Sequence, residues 1–323
     1  MPDAIHDDEV DTSEAVVAAL IADQCPQWSR HHRQALHTSG TDNAMWALRA
    51  PGASAPQLVM RLPRMGRAVA GLETELALLP HLAGGPGADG GLTGSEHPVH
   101  TPTLRHAGEP TADYPYPWAV FGWLPGVDAW SARTRIDPRG DALAEQLAST
   151  VAAIGALGAS GEVPVGRRPD GQRGGLLAPL LDRLARWLDD PAWRASSLID
   201  VAAVRRRMDE ARELPDHDGE PEFVHGDLIP GNLLVDGGRL SAVIDWSGAA
   251  FADPAQDLAP AWSMLAGRGR DRFREHLEAD DARWARGRVI ELEHAVGAVL
   301  YYRPRGHALA DVMDRTLGRI LTD

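Results

Sequence analysis

Lysine is absent from this chain, and all 32 of its basic side chains are arginine. Any role that ordinarily falls to a lysine must therefore be filled by a guanidinium, a planar fork in place of a compact point charge. The single cysteine, Cys25, excludes an intramolecular disulfide, so a cytoplasmic location is the expectation. No apolar run approaches the ~20 residues that a membrane span requires. The opening stretch MPDAIHDDEVDTSE is acidic and lacks the basic-then-apolar order of a signal peptide, which argues against export. Basic groups are outnumbered by 46 acids, and the net charge of -14 argues against a nucleic-acid partner, which needs a clustered basic face. It leans instead toward small cationic ligands. Phe and Tyr are scarce, four of each beside ten Trp, and most of the Trp side chains are assigned to packing.

With 323 residues, 44% of them hydrophobic and 24% charged, the chain is an ordinary soluble composition with room for two lobes, since single cores stop growing near ~250 to 300 residues. Residues 11 to 22 read as a helix with Asp11 as its N-cap and Val16, Val17, Leu20 and Ile21 on one face. From 30 to 64 the pattern shortens to three antiparallel strands joined by two tight turns. A helix over 67 to 82 follows, with Val69, Leu72, Leu76 and Leu79 as its buried stripe. The glycine-rich stretch 83 to 98 reads as a mobile surface loop. Two more strands lie around TLRHAG and PWAVFGWL, and LPG at 124 to 126 marks a hinge.

Beyond it the pattern is helical over 138 to 158, 176 to 189, 199 to 213, 254 to 266, 271 to 278 and 281 to 301. The interruption at 222 to 245 holds two short strands joined by the turn Asp236-Gly237-Gly238. The expected fold is α+β, with a sheet-rich part at 1 to 124, a helical part at 125 to 323, and a cleft between them as the ligand site.

Within FVHGDLIPGNLLV, at 223 to 235, Asp227 and Asn232 follow an apolar run, and Asp245 closes the next strand. The hairpin returns Asn232 and Asp245 to one end of two paired strands, beside Asp227. A carboxylate, an amide oxygen and a second carboxylate make a hard-oxygen site suited to Mg²⁺ with bound phosphates. In phosphoryl transfer one acid orients the attacking hydroxyl while the others hold metal. The small-residue turn Ser39, Gly40, Thr41, Asp42, Asn43 is able to bring backbone N–H groups close to phosphate oxygens. Alternation places Arg61 on the strand face opposite Met60 and Leu62. Helical periodicity leaves Glu73 and Glu75 equally able to partner it. A self-bonded turn is the competing reading for Asp227 and Asn232.

In order along the chain, GTDNAMWAL, QLVMRLPR, ETELALLPHLA, YPWAVFGWLPG, HGDLIPGNLLV, LSAVIDWSGAAFADPAQDLAPAW and WARGRVIELEHAVGAVLYY resemble the aminoglycoside phosphotransferase family, over roughly residues 10 to 320. The resemblance implies the two-lobed protein-kinase-like fold, shared with macrolide phosphotransferases and other small-molecule kinases. It implies that Asp227 accepts the proton of the acceptor hydroxyl, and that Asn232 and Asp245 bind Mg²⁺. Arg61 would take the place of the usual strand lysine and Glu75 that of its helix partner. Phe121, Gly122, Trp123 and Leu124 would form the hinge facing the base of ATP or GTP. Asp257 would brace the catalytic loop, and His225 would be structural. Trp246-Ser247-Gly248 departs from the Phe-Gly that protein kinases carry after the metal-binding Asp. Trp187, Trp193, Trp262, Asp128, Asp189, Asp190, Glu291 and Glu293 fall where the family builds its acceptor pocket.

The activity so implied is transfer of a γ-phosphoryl group from ATP or GTP to a hydroxyl of an aminoglycoside-like, cationic antibiotic, by a monomer or weak dimer. A macrolide, a peptide antibiotic or a small metabolite is the alternative acceptor, and a nucleotide-binding pseudokinase the alternative of another class.

Overall fold

Hydrophobic alternation builds the first half of the chain into a sheet that is covered on both faces. The computed structural model describes residues 8–36, 42–82, 92, 98–159 and 163–322. Five antiparallel strands, β1 (His32–Leu36), β2 (Asn43–Arg49), β3 (Leu58–Pro63), β4 (Leu104–Gly108) and β5 (Trp118–Gly122), lie in the order β1-β2-β3-β5-β4. On one face Trp46, Leu48, Met60, Leu62 and Val120 pack against Val17, Leu20 and Ile21 of α1 (Glu14–Gln24). On the other, Val59, Ala119 and Phe121 meet Leu72 and Leu79 of α2 (Val69–Leu82). Arg61 sits on this second face, paired in register with Met45 and Ala119.

The sequence reading needs correction at both helices. The residue at the N-cap of α1 is Ser13, while Asp11 accepts the Ser13 N–H at 2.8 Å. The buried side of α2 is Leu72, Glu75, Leu78, Leu79 and Leu82, with Val69 and Leu76 only half-buried, because the helix turns Glu75 inward toward Arg61. Leu92, placed by the sequence in a surface loop, is buried and donates its N–H to Val99 O at 2.8 Å.

The chain leaves the sheet through β6 (Val127–Asp128), which pairs with β8 (Leu233–Asp236), itself paired with β9 (Arg239–Val243). A second small ribbon joins β7 (Glu222–Val224) to β10 (Ala250–Ala252), a strand the sequence reading did not anticipate. Around these lie α3 (Asp141–Gly158), α4 (Leu177–Asp189), α5 (Val201–Ala211), α6 (Pro260–Ser263), α7 (Arg268–His276), α8 (Asp281–Tyr302) and α9 (Leu309–Thr322).

The single helix expected over 254 to 266 is two pieces, a 3-10 segment Pro254–Leu258 and the short α6. Pro260 has no N–H with which to continue the first piece, and it opens the second as its first residue. Helix α9 was not anticipated either, although Leu309, Val312, Met313, Thr316, Leu317 and Ile320 form a helical stripe buried along α8. Among the described residues no helix is long and apolar enough to cross a membrane.

Candidate active site

Residues 225 to 232 form a loop whose backbone is held from below by one buried carboxylate. Asp257 accepts the N–H of His225 at 2.7 Å and that of Gly226 at 2.8 Å, one on each oxygen. Gln256 adds a bond from its side-chain amide to Gly226 O at 2.7 Å. Gly226 has φ +84°, and a Cβ there would lie 2.2 Å from Gly248 O, so glycine is required for both conformation and space. His225 is fully buried, and burial depresses its pKa, so the ring is neutral. Its Nδ1 accepts from Asp227 N at 3.2 Å and its Nε2 donates to Ile244 O at 3.1 Å, tying the loop to the end of β9. These contacts fix the backbone of Asp227 while leaving its side chain half-exposed.

Asn232 donates from Nδ2 to Asp227 O and to Asp227 Oδ2, both at 2.9 Å. That leaves its amide oxygen as an acceptor. Pairing of Leu233 with Val243, and the bond from Ile244 N to Asn232 O at 2.9 Å, bring Asn232 and Asp245 to the same end of the β8-β9 ribbon. Asp245 occupies the left-handed region at φ +62°, a strained choice for a residue with a Cβ. Its Oδ1 accepts from Ser247 Oγ at 2.6 Å and from Arg61 Nη2 at 2.9 Å.

Arg61 is the centre of a buried ion cluster. Nη1 donates to Glu75 Oε2, Nη2 to Asp245, and the other Glu75 oxygen accepts the Trp246 N–H at 3.0 Å. With its amide oxygen toward the guanidinium, Asn43 accepts from Arg61 Nη2 at 2.9 Å and Nε at 3.2 Å. Burial opposes the charge on Asp245, but Arg61 and the Ser247 hydroxyl outweigh it and hold the carboxyl below its usual range. Burial likewise penalises the charge on Arg61, and the Asp245 and Glu75 carboxylates more than compensate, so its pKa is raised. Glu75 is pushed upward by the same burial, with Arg61 acting against it. Glu73, the other candidate partner, is exposed.

The remaining predicted residues divide sharply. Phe121 is buried in the sheet, and Gly122 and Trp123 already donate their N–H groups to Thr103 O at 2.9 Å and Gln57 O at 2.8 Å. Neither N–H is available to a purine. Ser39, Gly40 and Thr41 lie outside the described residues. Asp128 accepts the Ser131 N–H, Asp190 that of Ala192, and Asp189 pairs with Arg205, each a local contact. Glu293 pairs with Arg183 at 2.7 Å, and Trp262 is buried against Trp284. Trp187 and Trp193 pack on each other with ring centres 6.0 Å apart.

Among the acids named from the sequence as pocket candidates, only Glu291 comes up to Asp227, and it does so through a residue the sequence reading passed over. His294, one turn further along α8, has Nδ1 3.3 Å from Glu291 Oε2 and Nε2 3.9 Å from Asp227 Oδ1. Burial pushes Glu291 up to about 8 and His294 down to about 4, so both are uncharged at neutral pH. Arg173 completes the group, with Nη1 3.6 Å from Asp227 Oδ1. The i, i+3 spacing of Glu291 and His294 along α8 was the available signal.

Among the described residues no group of three or more His, Cys, Asp or Glu side chains could hold a metal ion by itself. The donors that do converge, one amide oxygen and one carboxylate, suit a Mg²⁺ that completes its shell with phosphate oxygens and water.

The profile of the phosphotransferase enzyme family, APH, matches residues 34–292, and the chain belongs to that family. Among solved structures it is similar to the GDP and kanamycin complex of APH(2")-IIIa, with TM-score 0.71 and 19% identity, covering 96% of this chain and 99% of that one. It is also similar to the macrolide 2'-phosphotransferase MphH from Brachybacterium faecium, with TM-score 0.56 and 20% identity over 94% of this chain and 97% of that one. These likenesses establish the two-lobed, protein-kinase-like α+β fold. A curated relative, the uncharacterized protein YcbJ of Bacillus subtilis (strain 168), is 26% identical over 114 residues, and the match spans 35% of this chain but only 30% of that protein's length. The chain is thus a phosphotransferase of the APH family.

Proposed function

We propose that this protein transfers the γ-phosphoryl group of ATP or GTP to a hydroxyl of an aminoglycoside-like antibiotic in the cytoplasm, acting as a monomer or weak dimer. The observation that carries the reading is the convergence of Asp227, Asn232 and Asp245 with the buried Arg61–Glu75 pair. Asp227 receives the proton of the acceptor hydroxyl as its oxygen attacks phosphorus. Asn232 holds that carboxylate through Oδ2. Asn232 and Asp245 would hold Mg²⁺, which when bound neutralises phosphate charge. Arg61, oriented by Glu75, keeps Asp245 in place beside the phosphates. Phosphate contact is assigned to Ser39, Gly40, Thr41 and Asn43, and contact with the base to Phe121 to Leu124. The division between the two parts falls after Leu124, where the chain passes into β6. The net charge of -14 favours a cationic acceptor.

A macrolide or other weakly charged acceptor is the second reading. It is favoured by the surroundings of Asp227, where an uncharged Glu291, a neutral His294 and the cationic Arg173 face the base.

The test is mass spectrometry of pooled aminoglycosides, macrolides, peptide antibiotics and amino alcohols incubated with protein, Mg²⁺ and either ATP or GTP. One compound gaining one phosphoryl mass fixes acceptor and donor together. Asp227→Asn should lose that turnover while still binding Mg-nucleotide by calorimetry. Loss of both would contradict the role of Asp227, and protein that binds nucleotide but modifies nothing would favour the pseudokinase.

A further inference from the structure

We propose that Arg173 is a catalytic residue that grips the transferred phosphoryl group from the acceptor side; this rests on the phosphotransfer reading of the site. Arg173 belongs to the stretch from 163 to 176, which links α3 to α4 and carries no regular structure of its own. That stretch is nonetheless fixed to the elements that position Asp227. Arg168 N donates to Phe251 O at 2.7 Å, Phe251 N to Gly166 O at 2.9 Å, and Asp253 N to Gly174 O at 2.9 Å. Gly174 has φ +83°, and a Cβ there would lie 2.1 Å from Gln256 Oε1, the side chain that also holds Gly226. Arg168 donates to Gly248 O on the other flank. Arg173 is therefore held against the site by backbone bonds on both sides, with its guanidinium about one-third exposed.

Its position is unusual for an ion pair. Nη1 stands 3.6 Å from Asp227 Oδ1, inside ion-pair range but too far for a hydrogen bond. Asp227 Oδ1 is itself buried and has no hydrogen-bond partner among the described residues. No other carboxylate of those residues lies within ion-pair distance of Arg173. Arg61, the other guanidinium at the cleft, has Nη1, Nη2 and Nε all engaged by Glu75, Asp245 and Asn43. Arg61 thus commits most of its N–H groups to protein acceptors, whereas among the described residues Arg173 donates no hydrogen bond.

During transfer a bond forms between the acceptor oxygen and the γ-phosphorus, the bond from that phosphorus to the bridging oxygen breaks, and the nucleoside diphosphate leaves. The hydroxyl proton passes to Asp227. Before attack the acceptor oxygen lies within hydrogen-bond reach of Asp227 and about 3 to 3.5 Å from phosphorus. A guanidinium alongside the same carboxylate oxygen is thus in reach of the equatorial phosphoryl oxygens, where charge spreads in the transition state. Arginine binds such oxygens as a fork.

The experiment compares wild type, Arg173→Ala and Arg173→Lys. One readout is acceptor-independent hydrolysis of Mg-ATP or Mg-GTP, in which water replaces the acceptor. The second is calorimetric affinity for Mg²⁺ with ADP or GDP, with and without aluminium fluoride as mimic of the phosphoryl in transit. Arg173→Ala should hydrolyse nucleotide about 10²- to 10³-fold more slowly, the usual loss for one such donor. It should also lose the added affinity that aluminium fluoride confers, while binding of the diphosphate alone changes less than about threefold. Guanidinium ion in the buffer should restore part of the rate to Arg173→Ala. Equal aluminium fluoride affinity in wild type and Arg173→Ala would overturn the proposal and leave a structural ion pair. Loss confined to the KM of the acceptor would overturn it in favour of acceptor recognition. Wild type that binds no Mg-nucleotide would instead overturn the phosphotransfer reading, and this proposal with it.

Discussion

Replacing Glu291 by Gln should make the protein's stability less sensitive to alkaline pH, by an amount that the structure sets. The folded carboxyl is pushed up to about 8 by burial, against an ordinary 4.5, with Arg173 acting in the opposite direction. Between pH 6.5 and 8 the unfolded chain has an ionised Glu291 while the folded chain keeps the proton. Folding then takes up one proton, and stability falls by about 1.4 kcal/mol per pH unit, or roughly 2 kcal/mol over the interval. The stabilisation is complete below 4.5 and is lost as the pH rises through about 8. His294 works with the opposite sign. Its pKa is depressed from 6.5 to about 4 by burial and by Arg173, so its contribution is lost as the pH falls through that window and is constant above it. From pH 6.5 upward the His294 contribution changes little, so the interval reports mainly Glu291. Urea unfolding of wild type and Glu291→Gln at pH 6.5 and pH 8 gives four free energies, and other titrating groups cancel in the difference of differences. Parallel responses in the two proteins would refute the reasoning, for they would mean that folded Glu291 is already ionised at neutral pH. The outcome also bears on the site. A protonated Glu291 donates to His294 Nδ1 and leaves Nε2–H facing Asp227, whereas an ionised one would turn a bare nitrogen toward that carboxylate.

Two further substitutions test the frame around Asp227. Arg61→Lys keeps the charge but cannot serve Glu75, Asp245 and Asn43 together, so it should cost about 1 to 3 kcal/mol of stability in thermal or urea unfolding and lower kcat/KM at least tenfold; a variant equal to wild type in both would show that the fork is dispensable. Gly226→Ala places a Cβ 2.2 Å from Gly248 O on a residue with φ +84°, so it should cost about 3 kcal/mol or more and abolish turnover; an undisturbed melting temperature would contradict the packing described here.

What could be read from the sequence follows from which interactions are local. The strands of the sheet and helices α2, α3, α4, α5 and α8 show their periodicity within a single window, and their extents agree with expectation to within a few residues. Strand β10 is three residues long and exists only because Phe251 and its neighbours pair with β7, which no local pattern reveals. The failure at α9 was of a different kind, because its stripe from Leu309 to Ile320 is regular. In the site, the turn chemistry of Asp227 to Asn232 and the return of Asp245 were readable because a hairpin of known length joins them. Arg61 and Glu75 are separated by a strand end and two helical turns. Periodicity could not choose between Glu73 and Glu75, and the choice needed the three-dimensional tilt of α2. Arg173 and His294 were missed because each reaches Asp227 from more than fifty residues away in sequence.

The absence of lysine ties these observations together. A single cation must sit between Glu75 and Asp245, both on the inner side of the cleft, and a guanidinium can do so because its five donors point along fixed directions in one plane. An ammonium there would bond one carboxylate well and leave spare capacity toward phosphate. Arg61 does the reverse: its nitrogens are engaged by protein groups, which stabilises the strained Asp245 and would leave little of the charge to a bound phosphate. In the proposed reaction the phosphoryl group needs a cation beyond the metal, and a second guanidinium, Arg173, stands 3.6 Å from Asp227 and donates no hydrogen bond among the described residues. On the proposed reading, a lysine-free chain divides between Arg61 and Arg173 what one flexible ammonium would combine. On this reasoning Arg61→Lys and Arg173→Ala impair different things, the first the holding of Asp245 and the second the binding of the phosphoryl in transit.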